Sequence, residues 1–205
     1  MKVLKFGGAS VGSIKNLQQV KKIIEGVKEP VVIVISAVEN VTDMLVETTT
    51  LAAQGNASYT EKLNTIISTH NQLIEGCLPA ANREKAISEI SSLHDELQNI
   101  LKGVYLIKDL TSKTEDTILS YGERIASLFV SQFIDAKYID SRNLIKTTDS
   151  LGHVNVDYEL TYKLIKEAFA SSSNTRVVVP GFIASDADSA DITTLGRGGS
   201  DYTAA

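Results

Sequence analysis

The sequence predicts an α/β protein in which a mainly parallel sheet is interrupted by a helical insertion. The first observation is the continuous β-branched run from Val31 to Ile35, because a strand that is apolar on both faces is typical of a buried parallel sheet. The second is a strand pattern at residues 3–6 and a helical pattern at 13–28, which together with that run form a strand–helix–strand unit. The third is a long helical stretch, from about residue 41 to residue 134, that separates this unit from later strands.

The opening strand–helix–strand unit has clear boundaries. The apolar run at residues 3–6 ends in Gly7 and Gly8, as a strand that enters a tight turn does. Ser13 is a suitable helix N-cap, and Pro30 ends the helix before the next strand. Apolar residues recur at helical spacing between them, namely Leu17, Val20, Ile24 and Val27.

The insertion is predicted to contain several helices. Apolar side chains recur at helical spacing within the ranges 41–54, 59–77, 83–104 and 114–134. Gly55, the Leu78-Pro79 step and Gly103 are predicted to supply the breaks between them.

The α/β framework is predicted to resume after the insertion. A strand at residues 137–139 precedes a helix at 157–170 that Asp157 can cap, and residues 176–179 form another buried strand. Near the end, Gly198-Gly199-Ser200-Asp201 resembles a loop that feeds a helix N-terminus, and the chain stops at Ala205. We therefore expect residues 1–205 to be an incomplete domain that lacks its C-terminal part.

Composition excludes several classes of protein. The net charge of −5 argues against a nucleic-acid-binding protein, which needs a basic surface. No apolar run reaches the length of a membrane span, and the N-terminus does not resemble a secretory signal. The single cysteine, Cys77, cannot form an internal disulfide, so a reducing compartment and a cytoplasmic location are predicted.

The first predicted strand ends in residues suited to phosphate. Gly7 and Gly8 let the backbone approach a ligand closely, and exposed N–H groups there can bind phosphate oxygens. Lys5 can place a positive charge on a phosphoryl group, and Ser10 follows in the same loop. The pattern lacks the Gly-Lys-Ser/Thr of a Walker A loop. A plain turn with a solvated lysine is an equally acceptable interpretation of this motif alone.

Other strand ends carry further candidates. Because ligands of an open parallel sheet bind beyond the carboxyl ends of its strands, Ser36, Thr42 and Phe182 are expected at that rim. The loop Gly196 to Asp201 combines glycines, a carboxylate and Arg197, whose guanidinium can grip a carboxylate with two hydrogen bonds. The alternative interpretation is a flexible hairpin tip.

Residues outside these loops give weaker signals. Glu123 next to Arg124 on a helix is more often part of a solvated face, but Gly122 costs helix stability and so hints at a close approach. No metal site is predicted: the aspartates at 186, 188 and 191 form a solvated loop. His70 is expected at the core edge, and His94 and His153 at the surface.

Several segments resemble the aspartate kinases of the amino-acid kinase family, in the family's order and over essentially the whole chain. They are Lys5-Phe6-Gly7-Gly8-Ala9-Ser10-Val11, Ser36-Ala37 with Thr42, Gly122-Glu123-Arg124, Pro180-Gly181-Phe182-Ile183 and Leu195-Gly196-Arg197-Gly198-Gly199-Ser200-Asp201-Tyr202-Thr203-Ala204-Ala205. The last segment is highly specific. Ala9 departs from the family, where threonine is usual, which puts one phosphate contact in doubt.

The resemblance implies a three-layer αβα sandwich, with ATP, Mg²⁺ and L-aspartate as ligands. Lys5 and Asp201 would be catalytic, and Gly7, Gly8 and Ser10 would line the phosphate loop together with Lys5. For the amino acid, Arg197 would bind the α-carboxylate, Glu123 would meet the ammonium group, and the remaining contacts would come from Ser36, Thr42, Phe182 and Ser200.

The resemblance also implies a homo-oligomeric enzyme that continues past Ala205 into regulatory domains. The start of the chain and the long helical middle look most like kinases fused to homoserine dehydrogenase. Two alternatives stay open. One is a related kinase with another substrate, such as N-acetylglutamate, and the other is a non-catalytic fragment that only binds ligand.

Overall fold

Two four-stranded sheets form the framework over the residues that the computed structural model describes, which are 1–150, 153–170 and 176–205. The strands are β1 (Lys2–Phe6), β2 (Val31–Ile35), β3 (Lys137–Tyr138), β4 (Lys146–Ser150), β5 (His153–Val156), β6 (Arg176–Pro180), β7 (Ile183–Asp186) and β8 (Ile192–Thr194). Sheet A has the order β1-β2-β6-β3 and is parallel throughout, whereas sheet B has the order β5-β4-β7-β8 and is mixed.

Helices occupy most of the chain between β2 and β3. The helices are α1 (Gly8–Val11), α2 (Ile14–Glu25), α3 (Val41–Ala53), α4 (Tyr59–Cys77), α5 (Ala80–Ile107), α6 (Ser112–Phe133), α7 (Tyr158–Phe169) and α8 (Gly199–Ala204). A short 3₁₀ turn at Ser141–Asn143 precedes β4. The helices at 41–53, 59–77, 80–107 and 112–133 confirm the predicted helical character of this stretch.

Sheet A has apolar layers on both faces. Val31, Ile33 and Ile35 pack into the larger core with α2 to α6, and alternate residues such as Val32 face a smaller core beneath α7. This alternation follows from the period of two along a strand. The predicted α/β class, with helices on both sides of a parallel sheet, is confirmed.

Two predicted caps are confirmed, and one predicted break is wrong. The Ser13 hydroxyl accepts from Asn16 N–H at 3.2 Å, and the Asp157 carboxylate accepts from Leu160 N–H at 2.9 Å. Gly103, however, lies inside α5, which continues to Ile107. A helical glycine costs only about 1 kcal/mol, and the packing of the apolar face of α5 outweighs that cost.

Sheet B was not predicted from the sequence. Its strands are short and polar, as in Lys-Thr-Thr-Asp-Ser at 146–150, so they lack an apolar run. These strands are held in place by hydrogen-bonded pairing, of β4 with β7 and of β7 with β8. Sheet B matters for the site because β8 leads directly into the loop at residues 195–198.

The histidine predictions need one correction. His70 is only 3% exposed and His94 only 5% exposed, and the two rings share a hydrogen bond of 3.0 Å between α4 and α5. The surface position predicted for His94 is therefore wrong, because that face of α5 packs on α4. The side chain of His153 lies outside the part of the chain that the structure describes.

Candidate active site

A cleft of about 540 Å³ opens at the carboxyl ends of β1 and β2. It collects side chains from the beginning, the middle and the end of the chain. The residues that line it are Lys5, Ser36, Thr42, Glu123, Phe182, Gly196, Arg197, Gly198, Gly199, Ser200 and Asp201. Eight residues to which the sequence assigned a site role are among them, so the structure brings the six predicted amino-acid contacts together with Lys5 and Asp201.

The parallel register of sheet A explains how β1 and β2 contribute. Lys5 lies opposite Val34, and the last residues of the two strands, Phe6 and Ile35, lie opposite each other. Both strands therefore end at the same rim. Ser36 follows β2 directly, and its N–H donates to the carbonyl of Phe6 at 3.1 Å. Thr42 lies in the first turn of α3. The rim is therefore built on backbone pairing.

Two polar contacts join α8 to this rim. The Lys5 ammonium forms an ion pair with the Asp201 carboxylate at 2.8 Å, with the two side chains 28% and 69% exposed. The Ser36 hydroxyl donates to the Ser200 hydroxyl at 3.0 Å. Such a half-exposed ion pair adds little stability. Its significance is that it orients Lys5 toward the cleft.

Glycines shape the loop that carries Arg197. Gly196 and Gly198 have positive φ angles of 70° and 79°, which favour glycine. Gly199 packs so closely that a Cβ there would lie 2.9 Å from Leu195 Cβ. Arg197 itself is exposed, and no salt bridge among the described residues joins it to an acid. Its guanidinium is therefore available to an anionic ligand.

Phe182 closes one wall of the cleft in an unusual backbone conformation. Its φ angle is 66°, which is costly for a residue with a side chain. Two hydrogen bonds hold its peptide groups: the N–H donates to the Thr203 hydroxyl at 3.2 Å, and the carbonyl accepts from Leu195 N–H at 2.8 Å. Thr203 in turn donates to the carbonyl of Gly199 at 2.9 Å.

Glu123 is buried in the floor of the cleft. It is 4% exposed, so the solvated face that sequence reasoning favoured for this segment is wrong. Burial raises the pKa of its carboxyl to about 7, although a hydrogen bond from Ala37 N–H to Oε1 at 3.1 Å opposes that rise. Oε2 has no partner among the described residues. A buried acceptor without a partner is suited to a ligand that donates hydrogen bonds.

Three residues of the predicted phosphate loop do not line the cleft. Gly7 lies beside it, since a Cβ on Gly7 would be 3.7 Å from Lys5 Nζ. Gly8 begins α1, and its glycine is required because a Cβ would lie 2.9 Å from the carbonyl oxygen of Ala37. Ser10 faces a separate depression together with Phe6, Ala9 and Asn16.

Sequence reasoning missed the residues that support the site from behind. Ala37 contributes only its backbone N–H, and Thr203 acts through a hydroxyl that does not line the cleft. Neither role has a distinctive residue type. The signal available was position, since both residues lie within the motifs that were singled out.

The arrangement is suited to a ligand that carries both signs of charge. The cleft offers the cations Lys5 and Arg197, the buried acid Glu123 and the hydroxyls of Ser36 and Ser200. Over residues 1–150, 153–170 and 176–205, no group of three or more His, Cys, Asp or Glu side chains could hold a metal ion. In the same ranges, no helix is long and apolar enough to cross a membrane.

A sequence model of the amino acid kinase family matches residues 1–205. The chain belongs to the amino acid kinase family. Among its curated relatives, aspartokinase 3, chloroplastic, of Arabidopsis thaliana is 31% identical over 216 residues, covering 98% of this chain and 37% of that protein. The bifunctional aspartokinase/homoserine dehydrogenase 2, chloroplastic, of Zea mays is 29% identical over 210 residues, covering 99% of this chain and 23% of that protein.

Solved structures of this family have the same fold. E. coli aspartokinase III in complex with lysine and aspartate superimposes with a TM-score of 0.87 at 26% identity, covering 99% of this chain and 45% of that chain. The same enzyme in complex with aspartate and ADP gives a TM-score of 0.81 at 27% identity and the same coverage. The chain thus spans less than half the length of each relative named here.

These comparisons confirm the resemblance to aspartate kinases within the amino acid kinase family. Single-function and fused relatives both match, so the fusion to homoserine dehydrogenase stays a prediction. The two plant relatives have chloroplastic in their names, and the cytoplasmic location of this chain likewise stays a prediction.

Proposed function

We propose that this chain provides the amino-acid side and part of the phosphate side of an ATP-dependent aspartate kinase. The reaction transfers the γ-phosphoryl group of ATP to the β-carboxylate of L-aspartate and yields 4-phospho-L-aspartate and ADP. The observation that carries this proposal is the convergence of Lys5, Glu123 and Arg197 on one cleft. A related structure that contains aspartate and ADP supports it.

The amino-acid side has complementary charges for both ends of aspartate. The exposed Arg197 guanidinium would grip the α-carboxylate, and the unpartnered Oε2 of Glu123 would accept from the ammonium group. Hydroxyls of Ser36, Thr42 and Ser200 would complete the contacts, and the Phe182 ring would limit the length of the side chain. An N-acetylated acid lacks the ammonium group, so Glu123 disfavours it.

The phosphate side centres on Lys5. Its ammonium would either release Asp201 or bind Asp201 and the γ-phosphate together, and Gly7 and Gly8 follow Lys5 two and three residues later in the chain. Ser10 would join this side only if the phosphates extend past Gly7. Mg²⁺ fits the exposed Asp201 carboxylate, because this ion binds one or two carboxylates together with substrate phosphates. When bound, it would neutralise part of the phosphate charge.

The chemistry needs no general base. The β-carboxylate has an unperturbed pKa of about 4, so it is already ionised at neutral pH. One carboxylate oxygen forms a bond to the γ-phosphorus, and the bond from that phosphorus to the bridging oxygen of ADP breaks. The task of the protein is to hold two anions in line and to stabilise the transferring charge. Lys5 supplies that stabilisation from this chain.

A substrate panel tests the proposed reaction. The whole gene product is incubated with ATP, hydroxylamine and one acid at a time, so that an acyl phosphate is trapped as a hydroxamate. We expect the β-hydroxamate of L-aspartate, and at most traces with L-glutamate or N-acetyl-L-glutamate. A hydroxamate formed mainly from N-acetyl-L-glutamate would replace the proposed substrate, and none from any acid would reject the kinase reaction.

Calorimetric titration of the 205-residue chain separates binding from catalysis. L-aspartate is expected to bind to this chain, with Arg197→Ala as the control that removes binding.

We further propose that residues 1–205 are part of a longer kinase domain with a helical insertion at about 41–134, followed by regulatory domains, in a homo-oligomeric enzyme. Measuring the molar mass of the whole gene product in solution tests whether it is a homo-oligomer.

A further inference from the structure

Helix α6 approaches the segment after β2 unusually closely at Gly122. A Cβ built on Gly122 would lie 2.9 Å from Ala37 Cβ and 3.4 Å from Leu45 Cδ1. Carbon atoms that are not bonded prefer about 3.5–4.0 Å. Only glycine therefore allows the two backbones to lie at this separation.

The same close approach makes a hydrogen bond possible. Ala37 N–H donates to Oε1 of the adjacent Glu123 at 3.1 Å, and both residues are buried. Oε2 of the same carboxylate is buried without a partner among the described residues, and Glu123 lines the cleft. The steric contact and the hydrogen bond thus act on neighbouring residues of one helix turn.

We propose that Ala37 and Gly122 are positioning residues, which set the depth and orientation of the Glu123 carboxylate and thereby the affinity for the ammonium group of the substrate. This inference rests on the proposed function of the cleft. Neither residue needs to touch the substrate. Ala37 acts through its N–H and its small side chain, and Gly122 acts through the absence of a Cβ.

The distances indicate the size of the effect. A methyl group at position 122 would have to move away from Ala37 by roughly 0.6–1 Å to reach an ordinary contact. A hydrogen bond that starts at 3.1 Å would then exceed the range in which such bonds are effective. Since this bond lowers the pKa of Glu123, its loss would raise that pKa further. Lys5, Arg197 and Asp201 face the same cleft and are unchanged by the substitution.

A double-mutant cycle tests the proposal on the whole gene product. Gly122→Ala adds the methyl group, Ala37→Gly removes its steric partner, and the double variant does both. We expect Gly122→Ala to raise the aspartate KM about tenfold, the factor that corresponds to about 1.4 kcal/mol, with a much smaller change in kcat. In the Ala37→Gly background the same substitution should raise the KM less than threefold, because the coupling is steric.

Two glycines provide matched controls. Gly103 lies in α5 with no atom near its missing Cβ, so Gly103→Ala reports the general effect of alanine in a helix. Gly76 lies in α4, where a Cβ would meet Ile14 Cδ1 at 2.2 Å, so Gly76→Ala reports tight packing away from the cleft. Both are expected to change the melting temperature without changing the aspartate KM.

The pKa of Glu123 is a measurement that general destabilisation of the protein would not change. Carboxyl ¹³C NMR of the unliganded protein should place its pKa near 7, higher in Gly122→Ala, and back near 7 in the double variant. If Gly122→Ala does not fold, Ala37→Val adds bulk without a hydrogen-bond donor from the other side of the contact and should shift the KM and pKa in the same directions.

The results separate the inference from the function it rests on. An unchanged KM and pKa in Gly122→Ala, or changes that persist in the double variant, would overturn the positioning role. If the NMR cycle behaves as expected but the protein forms no aspartyl hydroxamate, the contact positions Glu123 and the proposed substrate is wrong.

Discussion

Glu123 must carry its charge in a position where burial opposes ionisation. It is 4% exposed, and one carboxylate oxygen has no partner among the described residues. The nearest compensation within the chain is the N–H of Ala37. In the proposed complex the ammonium group of aspartate supplies the missing positive charge, so affinity and protonation are linked at this residue.

The aspartate KM should therefore depend on pH through Glu123. Its pKa is raised to about 7, so the carboxyl becomes neutral as pH falls through 7 and can no longer balance an ammonium group. We expect the KM to rise up to tenfold per pH unit below 7 and to be flat above about 8. Steady-state kinetics from pH 5.5 to 8.5 measure this.

Glu123→Gln is the matched variant for that profile. Its amide keeps the shape of the side chain and can still accept from Ala37 N–H, but it cannot ionise. A high KM that no longer varies with pH is expected. If the variant keeps the pH dependence of the wild type, another group is responsible.

At this residue scale the sequence was informative about identity and poor about environment. All eleven residues that line the cleft lie in the motifs, and eight of them had been assigned a site role. The burial of Glu123 could not be read from Gly122-Glu123-Arg124, because a charged pair on a helix usually faces water. Its burial depends on the segment after β2, which lies far away in sequence.

At the scale of elements, a buried histidine pair joins α4 to α5. His70 Nδ1 and His94 Nε2 are 3.0 Å apart, and the rings stack with centroids 5.3 Å apart. Burial lowers the pKa of His70 to about 3 and that of His94 to about 4. The pair is therefore neutral in the folded protein at neutral pH.

This pair should make the protein less stable in mild acid. Both folded pKa values lie below the unfolded value near 6.5, so the unfolded chain binds more protons as pH falls. The stability is full above pH 6.5 and is lost by about 1.4 kcal/mol per histidine and pH unit below it. Urea unfolding between pH 7.5 and 5 measures the loss.

A variant with both histidines replaced by leucine is the control. It should lose part of this pH dependence, because two groups that titrate on unfolding are gone. An identical slope in both proteins would show that other groups govern the acid sensitivity.

Elements with an apolar period were predictable, and polar ones were not. Strand β2 and the four long helices could be predicted from their apolar residues, which the two cores bury. Sheet B has strands such as Ile-Thr-Thr at β8, whose residues are half-buried and form no run. Its existence depends on pairing between segments that are distant in the chain, which no local pattern contains.

At the scale of the whole molecule, topology brings the two ends of the chain together. Strand β1 lies beside β2, and β2 lies beside β6, so the first strand and the late strands share one rim. After β6 the chain forms β7 and β8 of sheet B. It then returns to the rim as the loop that carries Arg197. The ion pair of Lys5 with Asp201 closes this arrangement.

This convergence was predictable only in part. The rule that parallel strands present ligands at their carboxyl ends placed Lys5, Ser36 and Phe182 at one edge. The position of Arg197 depends on sheet B, which the sequence did not reveal, so its place in the cleft followed from the family resemblance.

Steady-state kinetics of Lys5→Ala and Arg197→Ala, measured side by side on the whole gene product, test the two-sided cleft most directly. Lys2→Ala is the control, because Lys2 lies on the same strand and pairs with Glu29 instead. We predict that Lys5→Ala lowers kcat by about 10²-fold or more with little change in the aspartate KM, as loss of transition-state stabilisation does. Arg197→Ala should instead raise the aspartate KM steeply. A near-normal kcat in Lys5→Ala, or an unchanged aspartate KM in Arg197→Ala, would contradict the account.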